Sequence, residues 1–317
     1  TINSMDQLVD IVKQTYFRRF DELELEYQFH FASRMYAWTG DPNAKQRLGQ
    51  LIEHILPATH DGRVQALRTI RQELAMKNYE RDVNNYVQRK PFFDAYPQLL
   101  LIHNALFRIR HWWCVYGVDE RDSLFELASK EEIETMLVSL MNDEDALRVL
   151  STYAINTLYL YETLLETTIH FQPERAMTVA MTYDRTSKTD IQLLVYLYTH
   201  CIIGASLFYY QPVTRDLPTD QAMLQEIEEL ITTQYDTITL DNKFEFLVCA
   251  KLCNFTSPLS DRIYDETRLS MNDQGFIVDT INQVINPVKQ SFLMSEHRNV
   301  LFIMSTVTPT FSTDPVQ

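Results

Sequence analysis

Apolar residues recur at three- and four-residue spacing along nearly the whole chain, the period of an amphipathic helix. Met5, Leu8, Val9, Val12, Tyr16 and Phe20 form the first such stripe. Ser4 is placed to cap it, with Gln7 closing a capping box. A second helix is predicted from Glu24 to Trp38, stopping at Gly40. Asp41 then caps a third, Pro42 takes its first position, and Pro57 ends it. Val64, Leu67, Ile70 and Leu74 share the next face, and a longer helix follows Pro97 as far as Tyr116. Ser129 and Glu132 form another capping box. Asp143 or Asp145 opens "ALRVLSTYAINTLYLYETLLETTIHF", which is apolar on most faces and therefore predicted to be central. Pro173 starts the next helix, and Thr189-Asp190 starts a core helix over Leu193–Tyr210. Thr219-Asp220, Asp241 and Ser257-Pro258 open later ones. The pattern predicts an all-α fold of roughly a dozen helices of ordinary length. Short connections favour antiparallel neighbours, so an α/α-hairpin array is expected, either a curved solenoid or a closed toroid. A two-part helical bundle is the alternative. The polar tail, residues 308–317, is expected to be extended or disordered.

Composition sharpens this picture by exclusion. Six glycines in 317 residues leave little room for positive-φ turns or phosphate-cradling loops. Neither G-x-G-x-x-G nor G-x-x-x-x-G-K-[ST] occurs. The net charge is −15, unevenly spread. Residues 1–118 carry 15 Lys and Arg against 13 Asp and Glu, and residues 119–317 carry 13 against 30. That step, with all three tryptophans (Trp38, Trp112, Trp113) before it, suggests a near-neutral part at 1–118 and an acidic part at 119–307. One continuous array with uneven surface charge fits equally. The acidity argues against nucleic acid as a partner. Four cysteines, each in apolar or aromatic surroundings, point to reduced thiols and a cytoplasmic protein. The first residues lack the basic and apolar regions of a signal peptide. No apolar run reaches the length of a membrane span.

Candidate chemistry is sparse, and each candidate has a plainer reading. Cys249 and Cys253 share a helix face at i, i+4. With His200 or His297 they could bind zinc, or they pack as small hydrophobes. No other cofactor is implied. Three acidic clusters (Asp119, Glu120 and Asp122; Asp143, Glu144 and Asp145; Asp261, Asp265 and Glu266) could ligate magnesium. They also suit helix caps and ion pairs with neighbouring arginines. In "LFRIRHWWCVYG", Arg110 beside Trp112 and Trp113 has the composition of a binding hot spot. Adjacent tryptophans on a helix diverge by about 100°, so one belongs to the core and the other to the rim. His30, Arg34 and Trp38 fall on one stripe at i, i+4, i+8, either a polar seam between helices or one wall of a pocket.

The charged triplet Glu296-His297-Arg298 interrupts the apolar stretch "SFLMSEHRNVLFIMS". Ser295 could cap a helix there, with Glu296 in its first turn. Alternatively one helix runs from Pro287 to Met304 and the triplet is its solvent arc. A third reading makes His297 an inward-pointing group at a cavity mouth. "NDQGFIVDTINQ" followed by "SEHRNVLFIMS" resembles the inter-helix turn and following helix of α/α-toroid proteins such as isoprenoid cyclases. Asp273-Gln274-Gly275-Phe276 is a relaxed form of their Asp-Gly-aromatic turn. "LYTHCIIGASLFYY" is similar to a second inner helix, with His200 in a position like that of His297. The resemblance implies an architecture with a central cavity; the repeated turn signature and the acidic motifs of those enzymes are absent. Two functions therefore follow from the sequence. One is a helical binding protein that presents a concave surface or pocket to a peptide, protein or small molecule. The other is a toroid-type enzyme whose central cavity is lined by His200, His297 and nearby carboxylates or cysteines, with the two histidines as catalytic candidates.

Overall fold

The computed structural model describes residues 4–76, 83–215, 217–283, 287–312 and 314–316. The fold is all-α. Among the described residues the only β pairing is an isolated bridge between Met271 and Ile277. No helix there is long and apolar enough to cross a membrane. The chain forms two compact units. The first comprises Thr1–Gln50, Asp184–Val195 and Tyr209–Thr313; the second comprises Leu51–Tyr183, Tyr196–Phe208 and Asp314–Gln317. The charge step near residue 118 lies inside the second. Helices α3 (Pro42–Ile55) and α12 (Lys188–Ala205) contribute residues to both.

The first unit contains α1 (Met5–Arg18), α2 (Leu25–Thr39), α13 (Leu217–Thr233), α14 (Leu240–Leu252), α15 (Ser260–Ser270), the single turn α16 (Thr280–Gln283) and α17 (Glu296–Thr306). Helix α17 is its axis and packs on α14, α1 and α2. Its polar residues Glu296, Arg298, Asn299 and Ser305 are as buried as Phe302 or Ile303. The local signals act as expected. Ser4 and Gln7 make a reciprocal capping box. Gly40 ends α2 in the left-handed region at φ 68°, and Asp41 Oδ1 accepts from the amides of Asn43 and Ala44. The tail is extended and docked. The amides of Thr310 and Ser312 donate to the carbonyls of Trp38 and Ala37, which fall in the last turn of α2 and lack intrahelical partners.

The second unit contains α4 (His60–Arg68), α5 (Ile70–Met76), α6 (Val83–Ala95), α7 (Leu99–Tyr116), α8 (Lys130–Met141), α9 (Glu144–Leu150), α10 (Thr152–Leu164) and α11 (Pro173–Ala180). Helices α7 and α10 form its centre. Residues 144–164 do not make one helix as the pattern predicts. Ser151, at φ 47°, breaks it into α9 and α10. Likewise α12 stops at Ala205 rather than running to Tyr210, because Leu207, Phe208 and Tyr209 all take positive φ. The buried Arg110 holds two of these residues: its guanidinium donates to the carbonyls of Leu207 and Phe208 at 3.1 and 2.6 Å.

One close approach is steric. A Cβ on Gly204 would lie 2.6, 2.7 and 2.9 Å from atoms of the Tyr159 side chain. Gly204→Ala is expected to cost about 1–3 kcal/mol through overpacking, read as a lowered urea midpoint. An unchanged midpoint would mean that α10 can yield there.

Candidate functional site

The triplet Glu296-His297-Arg298 starts α17, so the expected helix start is correct. A continuous helix from Pro287 is not: Pro287–Gln290 is a separate 3-10 turn. Nor is the triplet a solvent arc. Glu296 and Arg298 are buried at 1% and 4% exposure, and only His297 is open. Ser295 sits at the N-cap without a side-chain cap bond. Its hydroxyl instead accepts from Arg298 Nη1 at 3.1 Å.

The inward-facing members make a polar hub. Arg298 Nε donates to Asp241 Oδ1 at 2.6 Å, and its Nη1 also reaches Gln290 Oε1 and the Ile277 carbonyl. Asn299 accepts from the Ile277 amide and donates to the Ile277 carbonyl, so one side chain satisfies both backbone groups of that residue. The turn Asp273-Gln274-Gly275-Phe276 is thereby anchored to α17 directly after its bridge. Gly275, at φ 87°, lies where a Cβ would meet Thr15 Oγ1 at 2.5 Å.

Beside this hub, α2 brings two of its stripe residues to the start of α17. His30 Nδ1 lies 2.7 and 3.0 Å from the two oxygens of Glu296. The His30 and His297 rings stack with centroids 5.5 Å apart and planes at 28°. Arg34 acts electrostatically on both Glu296 and His297, and its guanidinium covers the Tyr209 ring at 4.8 Å. Burial pushes the Glu296 carboxyl up to about 8, against the opposing pull of His297 and Arg34. His297 is shifted down by burial and by its neighbour His30, with Asp241 and Glu296 opposing. The His297 ring faces solvent, while the carboxyl beneath it does not. The arrangement therefore offers one proton shared between a buried carboxyl and an imidazole, with a second, accessible imidazole on top. That is the material of acid–base chemistry or of hydrogen bonding to a polar ligand.

The remaining candidates are placed differently. Trp38 is fully buried; its indole donates to the Val307 carbonyl at 2.7 Å, and it packs edge-on to Tyr209 and Phe311. It offers a partner no surface. Trp112 likewise is buried at 2% exposure and donates to the Ile55 carbonyl. The half-exposed member of that pair is Trp113, covered by Arg121 at 4.0 Å. Arg110 is buried at the carbonyls described above, so the contact role expected of Arg110 and Trp112 has no exposed side chain behind it. His200 belongs to the second unit and bonds Asn156 Oδ1 through Nδ1 at 2.8 Å. Cys249 and Cys253 are buried in α14 and its cap and form no disulfide. Burial raises the Cys253 thiol to about 12, far from the thiolate that zinc requires. Among the described residues no group of three or more His, Cys, Asp or Glu is placed to hold a metal ion.

The acidic clusters have protein partners. Glu120 binds Arg63, His60 and Ser123; Asp143 caps α9; Asp265 pairs with Arg268. Glu266 departs from the expected arginine pairing. It takes Lys243 at 2.9 Å and the Tyr235 hydroxyl at 2.6 Å. The Tyr235 ring also carries the ammonium of Lys243 at 3.6 Å and the guanidinium of Arg262 at 3.8 Å. Nothing in the local sequence marks Lys243 as buried, because its partner lies 23 residues away.

Compared with known proteins, the chain matches no family model, no curated protein and no solved structure.

Proposed function

We propose that the chain is a binding protein whose first unit holds a small polar ligand against the exposed His297, with His30 and Arg34 beside it. The observation that carries this reading is the exposed His297 ring stacked on a His30 whose Nδ1 is engaged by a fully buried Glu296. The buried carboxyl fixes one imidazole and leaves the other open. A guanidinium beside them favours a ligand bearing an acceptor or a negative charge. A cytoplasmic location accords with the four cysteines, none of which is in a disulfide.

Native mass spectrometry of the purified protein, compared with its denatured mass, tests the proposal. The expected result is an excess mass of small-molecule size in the native protein, absent from His297→Ala. A bare chain mass, together with a His297 NMR resonance unmoved by a panel of small carboxylates and phosphates, would overturn it.

A second reading is favoured by the opposite displacements of Glu296 and His297. In an enzyme of the kind implied by the α/α-toroid resemblance, Glu296 paired with His30 would be the proton reservoir and His297 the group facing substrate. Turnover of the identified ligand, lost in His297→Asn, would select it.

A further inference from the structure

A cavity of about 380 Å³ lies in the first unit, with none of His30, Arg34, Glu296 or His297 in its lining. It is framed by the end of α14, the turn that follows, the start of α15, and the segment after α17. Asn254, in the left-handed region at φ 52°, turns the chain out of α14 while the Phe255 amide closes back onto the Ala250 carbonyl. This is the geometry of a Schellman cap. The turn carries Thr256 and Ser257 past the cavity and into Ser260, the first residue of α15. Tyr264 borders it one turn later, its hydroxyl donating to the Ser305 carbonyl at 2.8 Å.

The lining has an unusual charge balance for this protein. The chain carries 43 acidic residues, yet among the described residues no carboxylate lines this cavity, and Lys251 is the one charged side chain that does. Burial alone moves its ammonium down from the ordinary lysine range, with no carboxylate offsetting it. Asp261, the next residue after Ser260, acts electrostatically on Tyr264 but is not part of the lining. The lining also includes Asn254, Thr256 and Thr308, with Ser257, whose hydroxyl accepts from the Leu259 amide, and Ser260, whose hydroxyl donates to the Ser257 carbonyl. The positive end of α15 also starts at this wall. Phe255, Leu247 and Pro309 supply an apolar side. The volume falls within the range of small-ligand pockets.

We propose that this cavity is a binding site for a small molecule bearing an oxyanion, a phosphate ester or a carboxylate, with Lys251 as its counter-charge and the Thr256 and Thr308 hydroxyls as hydrogen-bond donors. An oxyanion supplies the partner that the half-buried ammonium lacks. The Thr256 and Thr308 hydroxyls donate to the remaining oxygens. The inference does not rest on the site at His297.

Competitive labelling of the intact chain tests it. Lysines are acylated with a limiting amine-reactive ester, and the rate at each site is read by peptide mass spectrometry. The reaction is run with inorganic phosphate, with acetate, and with sodium chloride at matched ionic strength. Lys251 is expected to be acylated at least five-fold more slowly in phosphate or acetate than in chloride, with the other lysines unchanged. Protection by phosphate alone would identify a phosphate ester as the ligand, and protection by both a less selective oxyanion site. Protection should weaken in Thr256→Val and Thr308→Val and persist in His297→Ala. Equal rates in all three salts would overturn the proposal, as would protection in chloride equal to that in phosphate. As an independent check, phosphate should raise the thermal midpoint of the wild type and leave that of Lys251→Gln unmoved. A rise that survives in Lys251→Gln would also overturn it.

Discussion

Arg298→Met is expected to lower the folding free energy by about 3–5 kcal/mol, the range found when one partner of a buried ion pair is removed. The guanidinium is only 4% exposed and serves four acceptors: Asp241, Ser295, Gln290 and the Ile277 carbonyl. Methionine fills much of the volume but leaves the Asp241 carboxylate and the Ile277 carbonyl without that donor. The cost therefore lies in groups left unsatisfied more than in the lost attraction. Asp241 is partly exposed, at 30% of its side chain, so water can recover some of it. Arg298→Met combined with Asp241→Asn should for that reason be less destabilised than the sum of the two single variants. Urea denaturation of the four proteins measures this. A single-variant loss below about 1 kcal/mol, the scale of exposed pairs, would show that the hub is not a stability determinant.

The hub also shows what the sequence could and could not convey. Helix starts at Ser4, Pro42, Ser129, Asp143 and Pro173 were legible because each depends on residues within one turn. The breaks at Ser151 and at Leu207-Phe208-Tyr209 were not. No glycine or proline marks them, and the second is held by Arg110, nearly 100 residues earlier. The all-α class was plain from the periodicity, whereas the division into units depends on contacts that no local pattern encodes. At the site, the His30–Arg34 spacing correctly put two side chains on one face. Trp38, on the same stripe, turned to the core because an indole N–H can be satisfied by a single carbonyl. Glu296 was the hardest to read. A glutamate in the first turn of a helix has an ordinary explanation in the helix dipole, and its partner His30 is 266 residues away. Lys251 gave no signal, since a lysine in the last turn of a helix is equally ordinary.

Stability should fall by about 1–2 kcal/mol between pH 6.5 and 8, because Glu296 then loses a proton that the unfolded chain has already released. Burial raises its folded value to about 8, from an unfolded value near 4.5. The folded state thus binds the extra proton throughout that window, and rising pH favours unfolding. His297 acts with the opposite sign. Its folded value lies below the ordinary 6.5, so the unfolded state takes up a proton first as pH falls, and His297 erodes stability only on the acid side. Between pH 6.5 and 8 the unfolded imidazole gives up its remaining proton, a small opposing gain that the Glu296 loss outweighs. Of the other groups acting on this pair, Arg34 keeps its charge throughout, and burial with the Glu296 charge raises Tyr16 well above the usual phenol range. Glu296→Gln keeps a hydrogen-bonding group opposite His30 Nδ1 but removes the titration. Its stability should therefore no longer fall from pH 6.5 to 8 and should exceed that of the wild type at pH 8. His297→Asn should keep the alkaline fall and lose part of the acid one. The same alkaline slope in wild type and Glu296→Gln, by urea denaturation at half-unit pH intervals, would assign the proton to another group and remove Glu296 as the reservoir of the site.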